Sequence, residues 1–256
     1  MALLRFVTRV YDARGLIGRM AVQDLRARYA GTLAGMLWLV VHPAAMIFVY
    51  WFIFSVGFKI SLSGGVPFIL YFLSGIVPWL LFNEVLHCSV TAVTGKAYLV
   101  NRSVFPTEIL PVVSFVSALI PHVFLIAILF GFLFAYDIPL SIWALQIVYL
   151  TVCLGILGIG LGWLVAAINV FYRDVGQIVT IVLNIWFWMT PIIWRIDMLP
   201  ENMHGVLRLN PLYHVTEAYR AAFLFGKPVW LDASGMANFW VFTLLVFLLG
   251  AFVFRR

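Results

Sequence analysis

The sequence has little charge and almost no cysteine. Only 10% of its 256 residues are Asp, Glu, Lys or Arg, 64% are hydrophobic, and the mean hydropathy is +1.08. Soluble domains are about one quarter charged and about half apolar, so this composition excludes a soluble protein. The two cysteines, Cys88 and Cys153, fall within or close to apolar runs, which argues against a disulfide framework.

Motifs for catalysis and energy conversion are absent as well. Gly95-Lys96 lacks the earlier glycine and the following Ser or Thr of a phosphate-binding loop, so we expect no cofactor in this chain. Glu84, Glu108 and Asp137 lie toward the ends of apolar runs and do not form the buried acidic ladder of a proton-driven carrier. The sequence contains no G-x-S-x-G or H-E-x-x-H motif, so hydrolysis has no candidate residues. We therefore predict a protein that is not an enzyme.

What the sequence does contain is a series of long uncharged runs. The runs cover Tyr29–Phe58, Ile60–Asn83, Ile109–Tyr136, Ile138–Tyr172, Val175–Trp194 and Ala233–Phe254. Each reaches the roughly 20 residues that a helix needs to cross the hydrocarbon core, and none alternates as a membrane β-strand does. The sequence predicts an all-α integral membrane protein with six transmembrane helices, forming a single domain over residues 1–256.

The basic residues between the runs predict the orientation in the membrane. With the N-terminus inside, eleven of the 16 Lys and Arg residues fall on the cytoplasmic side. These are Arg5, Arg9, Arg14, Arg19, Arg26, Arg28, Lys96, Arg102, Arg173, Arg255 and Arg256. The positive-inside rule then places both termini in the cytoplasm. The net charge of +6 indicates attraction to lipid headgroups, and nucleic acid is not expected as a partner.

The segment before the first run, residues 3–28, mixes apolar and basic residues. It predicts an interfacial helix with a break near Gly15, lying in the membrane plane. One interpretation is a simple topology anchor. The other is a helix that captures an anionic lipid-linked substrate through Arg19, Arg26, Arg28 and Tyr29, because the arginine fork matches phosphate.

Two short cytoplasmic connections follow the second and fourth runs. Residues 94–107 combine apolar and basic side chains, with Tyr98, Leu99, Arg102 and Phe105 as the candidates for docking into a partner's groove. An interfacial loop resting on lipid is the alternative. The turn containing Arg173 and Asp174 is predicted to cap and orient the start of the fifth run.

The longest connection precedes the sixth run, and residues 195–225 of it carry an unusual number of polar side chains. A loop of this length predicts structure of its own, here two short helices, Glu201–Leu209 and Leu212–Leu224, joined at Asn210-Pro211. We expect a half-inserted hairpin that forms an outer gate. Its polar network would contain Tyr213, His214, Glu217 and Arg220.

Two further interpretations concern this outer region. Trp186, Trp188 and Trp194 are typical of an aromatic belt at the headgroup level, although aromatic faces also stack on sugar rings in a conduit. His214 and Glu217 supply only two ligands, so a metal site is not predicted.

Four stretches in order resemble a known family. They are "RYAGTLAGMLWLVVHP" (Arg28 to Pro43), "NVFYRDVGQI" (Asn169 to Ile178), "WFWMTPIIW" (Trp186 to Trp194) and "NPLYHVTEAYR" (Asn210 to Arg220). Together they are similar to the permease subunit of ATP-binding-cassette exporters for O-antigen, capsular polysaccharide and teichoic acid. The resemblance covers almost the whole chain.

The resemblance implies a homodimer in the bacterial inner membrane that works with two separate subunits binding ATP and Mg. It implies an interfacial helix, a cytoplasmic coupling helix within 94–107 and two periplasmic gate helices within 195–225. The substrate would be a lipid-linked polysaccharide, first of all O-antigen on undecaprenyl pyrophosphate, moved outward. An exporter of small molecules or lipids and a membrane-embedded transferase remain as alternatives.

Overall fold

The computed structural model describes residues 2–58, 65–100 and 105–254, and in these ranges every regular element is a helix. The α-helices are α1 Ala2–Asp12, α2 Arg14–Tyr29, α3 Trp38–Trp51, α4 Phe68–Val90, α5 Ala97–Val100, α6 Leu110–Ala135, α7 Ile147–Phe171, α8 Val175–Met189, α9 Glu201–Arg208, α10 Pro211–Phe223 and α11 Ala233–Phe254. The all-α prediction is confirmed for the described part of the chain.

Five helical stretches of the described chain are long and apolar enough to cross a membrane. They are Gly35–Gly57, Phe68–Val90, Thr107–Ala135, Ile142–Phe171 and Val229–Phe254. They fall within or overlap five of the six predicted runs. The protein is therefore a multi-pass integral membrane protein.

The remaining run forms a shorter helix than the sequence predicts. The helix α8 has 15 residues and ends at Met189, before the run itself ends at Trp194. Thr190 already has extended backbone angles, φ −98° and ψ 130°, because the residue before Pro191 is kept out of the α region. An apolar but non-helical segment thus continues the run past α8.

The helix α4 forms the centre of the molecule. Within its 18-residue apolar window, 78% of the residues are buried, whereas the value for Gly35–Gly57 is 11% and for Val229–Phe254 is 17%. The helices α6, α7, α8 and α10 pack around α4. The first and last spans therefore expose most of their apolar surface to lipid or to another protein.

The last span packs closely against α7 through glycines. A Cβ on Gly160 would lie 2.8 Å from the Cα of Phe247, and a Cβ on Gly250 would clash with the carbonyl oxygen of Gly160. On the other side of α7, a Cβ on Gly158 would lie 2.8 Å from Val85. These small residues let the helix backbones approach each other, as is common in membrane proteins.

The second of the two N-terminal helices, α2, packs against the start of α6 and against α7. The break between them falls at Ala13, two residues before the predicted Gly15. Ile17, Met20 and Ala21 of α2 are buried in a cluster with Ile109 and Trp163. This packing places α2 beside the start of α6 and close to the connection that follows α4.

Candidate functional site

The helical hairpin, which we define as α9 and α10, is held to the end of α8 through Asn210. The Asn210 side chain accepts a hydrogen bond from the Leu212 backbone nitrogen at 3.0 Å, which caps α10. It also accepts one from Trp186 Nε1 at 2.8 Å and donates one to Thr190 Oγ1 at 2.9 Å. One asparagine thus starts α10 and fixes it to the point where α8 ends.

A buried arginine of α10 makes the second connection to this point. Arg220 is 1% exposed, and its Nη1 lies 2.5 Å from Glu217 Oε1. Its Nη2 donates to the carbonyl oxygens of Pro191 at 2.6 Å and Ile192 at 3.1 Å. The guanidinium lies 3.6 Å above the Tyr71 ring centre, so it joins α10, α4 and the segment after α8.

The approach of Arg220 to α4 depends on a glycine. A Cβ on Gly75 would lie 2.9 Å from Arg220 Nη2 and 3.4 Å from the Ile192 Cα. Nearby, the Tyr71 hydroxyl donates to the Trp194 carbonyl oxygen at 3.2 Å. The guanidinium therefore occupies a space that only the absence of a side chain at Gly75 leaves open.

His214 fixes the hairpin on its other side. It is 4% exposed, its Nε2 lies 2.7 Å from the Arg208 carbonyl oxygen, and its Nδ1 lies 3.6 Å from Asp232 Oδ2. Asp232 in turn accepts a hydrogen bond from the Gly235 backbone nitrogen at 3.0 Å, at the start of α11. The hairpin is thereby linked to the last span.

The remaining aromatic candidates occupy different positions. Trp194 lies beside the arginine site and donates through Nε1 to the Trp188 carbonyl oxygen at 3.0 Å. Trp188 is 58% exposed. Tyr213 borders a cavity of about 320 Å³ with His214 and Glu217, and burial raises the pKa of Tyr213.

The arginines of α2 that were predicted to bind phosphate lie in two different environments. Arg28 forms an ion pair with Glu84 of α4, and its Nη2 lies 3.4 Å from Ser117 Oγ of α6. Burial lowers the pKa of Arg28 and the neighbouring Cys88 and Glu84 raise it, so that the net shift is upward. Arg19 and Arg26 are exposed. Tyr29, whose pKa is raised by partial burial, follows Arg28 at the end of α2.

The loop after α4 is fixed to α2 through a pair of charges. Lys96 Nζ lies 2.5 Å from Asp24 Oδ2, with the two side chains 14% and 26% exposed. Asn169 Nδ2, near the end of α7, donates to Thr94 Oγ1 at 3.4 Å. This connection therefore contacts both α2 and the end of a span.

The side chains predicted to form a docking stripe in this loop do not all face outward. Tyr98 is 62% exposed, whereas Leu99 and Phe105 pack partly against the cluster under α2. Burial of apolar area explains their inward position. Arg102 lies outside the described residues. Tyr98 is thus the exposed aromatic side chain of the described part of this loop.

The turn between α7 and α8 exposes Arg173 and Asp174. Asp174 occupies the N-cap position of α8, but its side chain makes no capping hydrogen bond. Asp174 contributes to the start of α8 through its backbone instead, because its carbonyl oxygen accepts a hydrogen bond from the Ile178 nitrogen at 3.0 Å.

Sequence reasoning missed most of the partners that fix these residues. Tyr71, Gly75 and the carbonyl groups of Pro191 and Ile192 carry no signal in the sequence that points to Arg220. The exception is Asn210-Pro211, since asparagine at an N-cap followed by proline is a recognised helix start. No group of three or more metal-ligating side chains occurs among the described residues.

Comparison with known proteins gives a consistent result. The family model described as ABC-2 type transporter matches residues 16–224. The chain is 25% identical over 205 residues to an O-antigen export system permease protein RfbA of Klebsiella pneumoniae, covering 80% of this chain and 78% of that protein. It is 27% identical over 224 residues to the RfbA protein of Myxococcus xanthus, with 86% and 85% covered. The polysialic acid transport protein KpsM of Escherichia coli is 23% identical over 237 residues, with 91% and 90% covered.

Proposed function

The chain belongs to the ABC-2 type transporter family, and from this premise we propose that it is the membrane permease subunit of a polysaccharide exporter. The observation that carries the proposal is the similarity to permeases named for O-antigen export and polysialic acid transport over most of both chains. As such a subunit, the chain forms a conduit and performs no chemistry.

The proposed cargo is a lipid-linked polysaccharide that is moved from the cytoplasmic to the outer face of the inner membrane. The leading candidate is O-antigen on undecaprenyl pyrophosphate. Support comes from α2, where Arg19 and Arg26 are exposed and Arg28 lies at the boundary with α4 and α6. Arginine forks bind phosphate through two parallel hydrogen bonds. Capsular polysaccharide and teichoic acid follow as alternatives.

The driving force in this proposal comes from two separate subunits that bind ATP and Mg. Residues 94–107 are the proposed contact, because Tyr98 is exposed on a loop that Lys96 fixes to Asp24 of α2. In this proposal, a force applied at Tyr98 reaches α2 through the Lys96–Asp24 ion pair. It reaches the end of α7 through the hydrogen bond between Thr94 and Asn169. Such a loop couples an external motion to the spans without binding nucleotide itself.

The proposed topology has six crossings with both termini in the cytoplasm. Five crossings are the long apolar helices, and the sixth is α8 together with the apolar segment Thr190–Trp194. Two copies would assemble through apolar surface such as that of Gly35–Gly57, of which only 11% is buried in the single chain. Exposed Phe48 and Phe52 lie on this surface, at 60% and 53% exposure.

The proposal is tested by co-purification and by export in cells. We expect Tyr98→Asp to abolish co-purification of the ATP-binding subunit, and Tyr136→Asp, at an exposed tyrosine after α6, to leave it unchanged. Deletion of the protein should leave the cell surface without polysaccharide and accumulate polymer inside. Normal surface polysaccharide in the deletion strain would refute the proposed cargo and leave an exporter of small molecules or lipids.

A further inference from the structure

One histidine of the helical hairpin has its second ring nitrogen directed at a carboxylate. His214 is 4% exposed, and its Nε2 lies 2.7 Å from the Arg208 carbonyl oxygen. Because a carbonyl oxygen only accepts hydrogen bonds, Nε2 carries a proton. In the neutral ring, Nδ1 is therefore left with a lone pair, and a buried lone pair needs a donor.

The Nδ1 atom of His214 has no donor in the described part of the chain. It makes no hydrogen bond there, and it faces Asp232 Oδ2 at 3.6 Å, which is an acceptor in an ionised carboxylate. Two acceptors thus face each other between α10 and the start of α11. This contact is unfavourable when His214 is neutral and favourable when Nδ1 gains a proton, because an imidazolium donates from both ring nitrogens.

Other contacts hold both side chains in this position. Asp232 Oδ1 accepts hydrogen bonds from the Gly235 backbone nitrogen at 3.0 Å and from Ser234 Oγ at 3.2 Å, which leaves Oδ2 for His214. The ring of His214 is held through the Arg208 carbonyl group. Gly235 closes one side of the gap, since a Cβ there would clash with both Asp232 Oδ2 and His214 Nδ1. The local structure therefore brings the two groups together whether or not Nδ1 is protonated.

Titratable and charged side chains surround His214 on several elements. They are Arg208 of α9, Tyr213, Glu217 and Arg220 of α10, Lys227 in the following turn and Asp232 before α11. The helices α7 and α11 also pack against α10 and contain no charged residue, while α4 places Tyr71 at Arg220. Glu217 forms its ion pair with Arg220 at 2.5 Å, whereas Asp232 has no Lys or Arg partner within the described chain. Asp232 is therefore the carboxylate that is left for His214.

A proton suits this pair better than a metal ion does. Protein metal sites of the zinc type use at least three protein ligands, and no group of three or more metal-ligating side chains occurs among the described residues. A cavity of about 320 Å³ borders the pair, and the Asp232 side chain is 61% exposed. Water therefore reaches the pair, and the proton exchanges with the surrounding solution.

We propose that the His214–Asp232 pair is a pH-dependent latch, which holds the helical hairpin to the last span while His214 is protonated and releases it when His214 is neutral. Histidine is the side chain whose charge commonly changes between about pH 5 and 8, so the latch closes toward the acidic side of this range. In the proposed topology the pair lies on the outer side of the membrane, where the latch would respond to the external pH. The latch does not depend on which cargo the permease carries.

The test is hydrogen–deuterium exchange of the purified full-length protein at pH 6 and pH 8, followed by mass spectrometry and corrected for the intrinsic exchange rate at each pH. We expect peptides covering residues 205–216 and 229–240 to exchange about two- to fivefold more slowly at pH 6, a modest factor because ion pairs with an exposed partner are weak. His214→Gln keeps a donor for the Arg208 carbonyl group but gains no charge, so it should exchange equally at both pH values. The matched control is His204→Gln, since His204 contacts the Leu199 carbonyl oxygen at 3.0 Å and should not affect the pH dependence.

A second variant separates the proton from the fold of the segment. In Asp232→Asn the amide oxygen still accepts from the Gly235 nitrogen, and the amide NH₂ is able to donate to Nδ1 of neutral His214. This variant should therefore show at pH 8 the slow exchange that the wild type shows at pH 6.

The remaining outcomes overturn the latch. Equal exchange of the wild type at both pH values would do so, and so would an unchanged pH dependence in His214→Gln. Slow exchange at pH 8 that becomes fast when EDTA is added would mean that a metal ion joins the two side chains instead of a proton. None of these results bears on the proposed function, which is tested by co-purification and by export.

Discussion

Arg220 carries its charge into a site that is 1% exposed, and two of its partners are backbone carbonyl groups. Its ion pair partner, Glu217, is 40% exposed in its side chain, so water shares in that interaction. The guanidinium thus acts mainly as a fixed source of hydrogen bonds for the segment where α8 has ended. Pro191 and Ile192 lie in this non-helical segment, so their carbonyl groups are not satisfied by helical hydrogen bonds.

Replacing Arg220 with Met should therefore lower the free energy of unfolding by roughly 3 kcal/mol, because buried carbonyl groups lose their donor. Thermal unfolding of the purified protein measures this change. The control is Arg195→Met, since the Arg195–Asp197 pair is 29% and 55% exposed and exposed pairs contribute about 0–1 kcal/mol. If the two variants lowered the free energy of unfolding equally, the buried contacts of Arg220 would not contribute more to stability than an exposed ion pair does.

Gly75 provides an independent test of the same site. A Cβ there meets Arg220 Nη2 at 2.9 Å, so Gly75→Val should displace the guanidinium and destabilise the protein by about 1–3 kcal/mol. Gly131, in α6, has nothing within 4 Å of a Cβ, and Gly131→Val is the matched control. A Gly75→Val protein that unfolds at the wild-type temperature would contradict the described position of Arg220.

The elements differ in how far the sequence predicts them. The helices α9 and α10 begin and end within one or two residues of the predicted bounds, because Asn210, Pro211 and the flanking prolines act locally on the backbone. The early end of α8 also has a local cause in Pro191, and the sequence pattern overlooked it because apolarity continues to Trp194. Local signals thus fix helix ends better than hydropathy does.

Contacts between elements were not predictable in the same way. Arg28 with Glu84, Lys96 with Asp24 and Arg220 with Tyr71 each join residues more than 50 positions apart. No periodicity or spacing links such residues, since their meeting depends on how the spans pack. The inward position of Leu99 and Phe105 has the same origin, because it follows from the cluster that forms under α2.

The contact between α7 and α11 gives a prediction at this scale. Gly160→Leu should separate the two helices, since its side chain would meet the Phe247 backbone, and overpacking of this kind costs about 1–3 kcal/mol or more. Gly131→Leu serves as the control. Disulfide cross-linking between cysteines placed on α7 and α11 measures the separation, and unchanged cross-linking in Gly160→Leu would refute the described packing.

The whole molecule has a tightly buried centre in α4 and loosely covered spans at its margin. Such a distribution suits a subunit that is completed by lipid and by other chains, because the first and last spans leave most of their surface uncovered. The proposed contact with the ATP-binding subunit, at Tyr98, follows the end of α4, whereas Arg220 of the hairpin contacts α4 near its start, at Tyr71.

The proposed topology predicts where introduced cysteines react with a membrane-impermeant maleimide in intact cells. Cysteines at Asp12 and Asp174 should be protected, and cysteines at Asp137 and Glu201 should be labelled. This pattern requires the odd number of crossings between Asp174 and Glu201 that α8 and the segment after it would supply. Labelling of the cysteine introduced at Asp174 would show that α8 does not cross the membrane and that the predicted number of six crossings is wrong.

The central claim is that this chain is a passive conduit driven by a separate ATP-binding subunit. The most direct measurement is transport of a lipid-linked polysaccharide across proteoliposomes that contain the purified chain alone or together with its ATP-binding subunit, with and without ATP. We predict transport only when the ATP-binding subunit and ATP are both present. Transport by the chain alone would contradict the account.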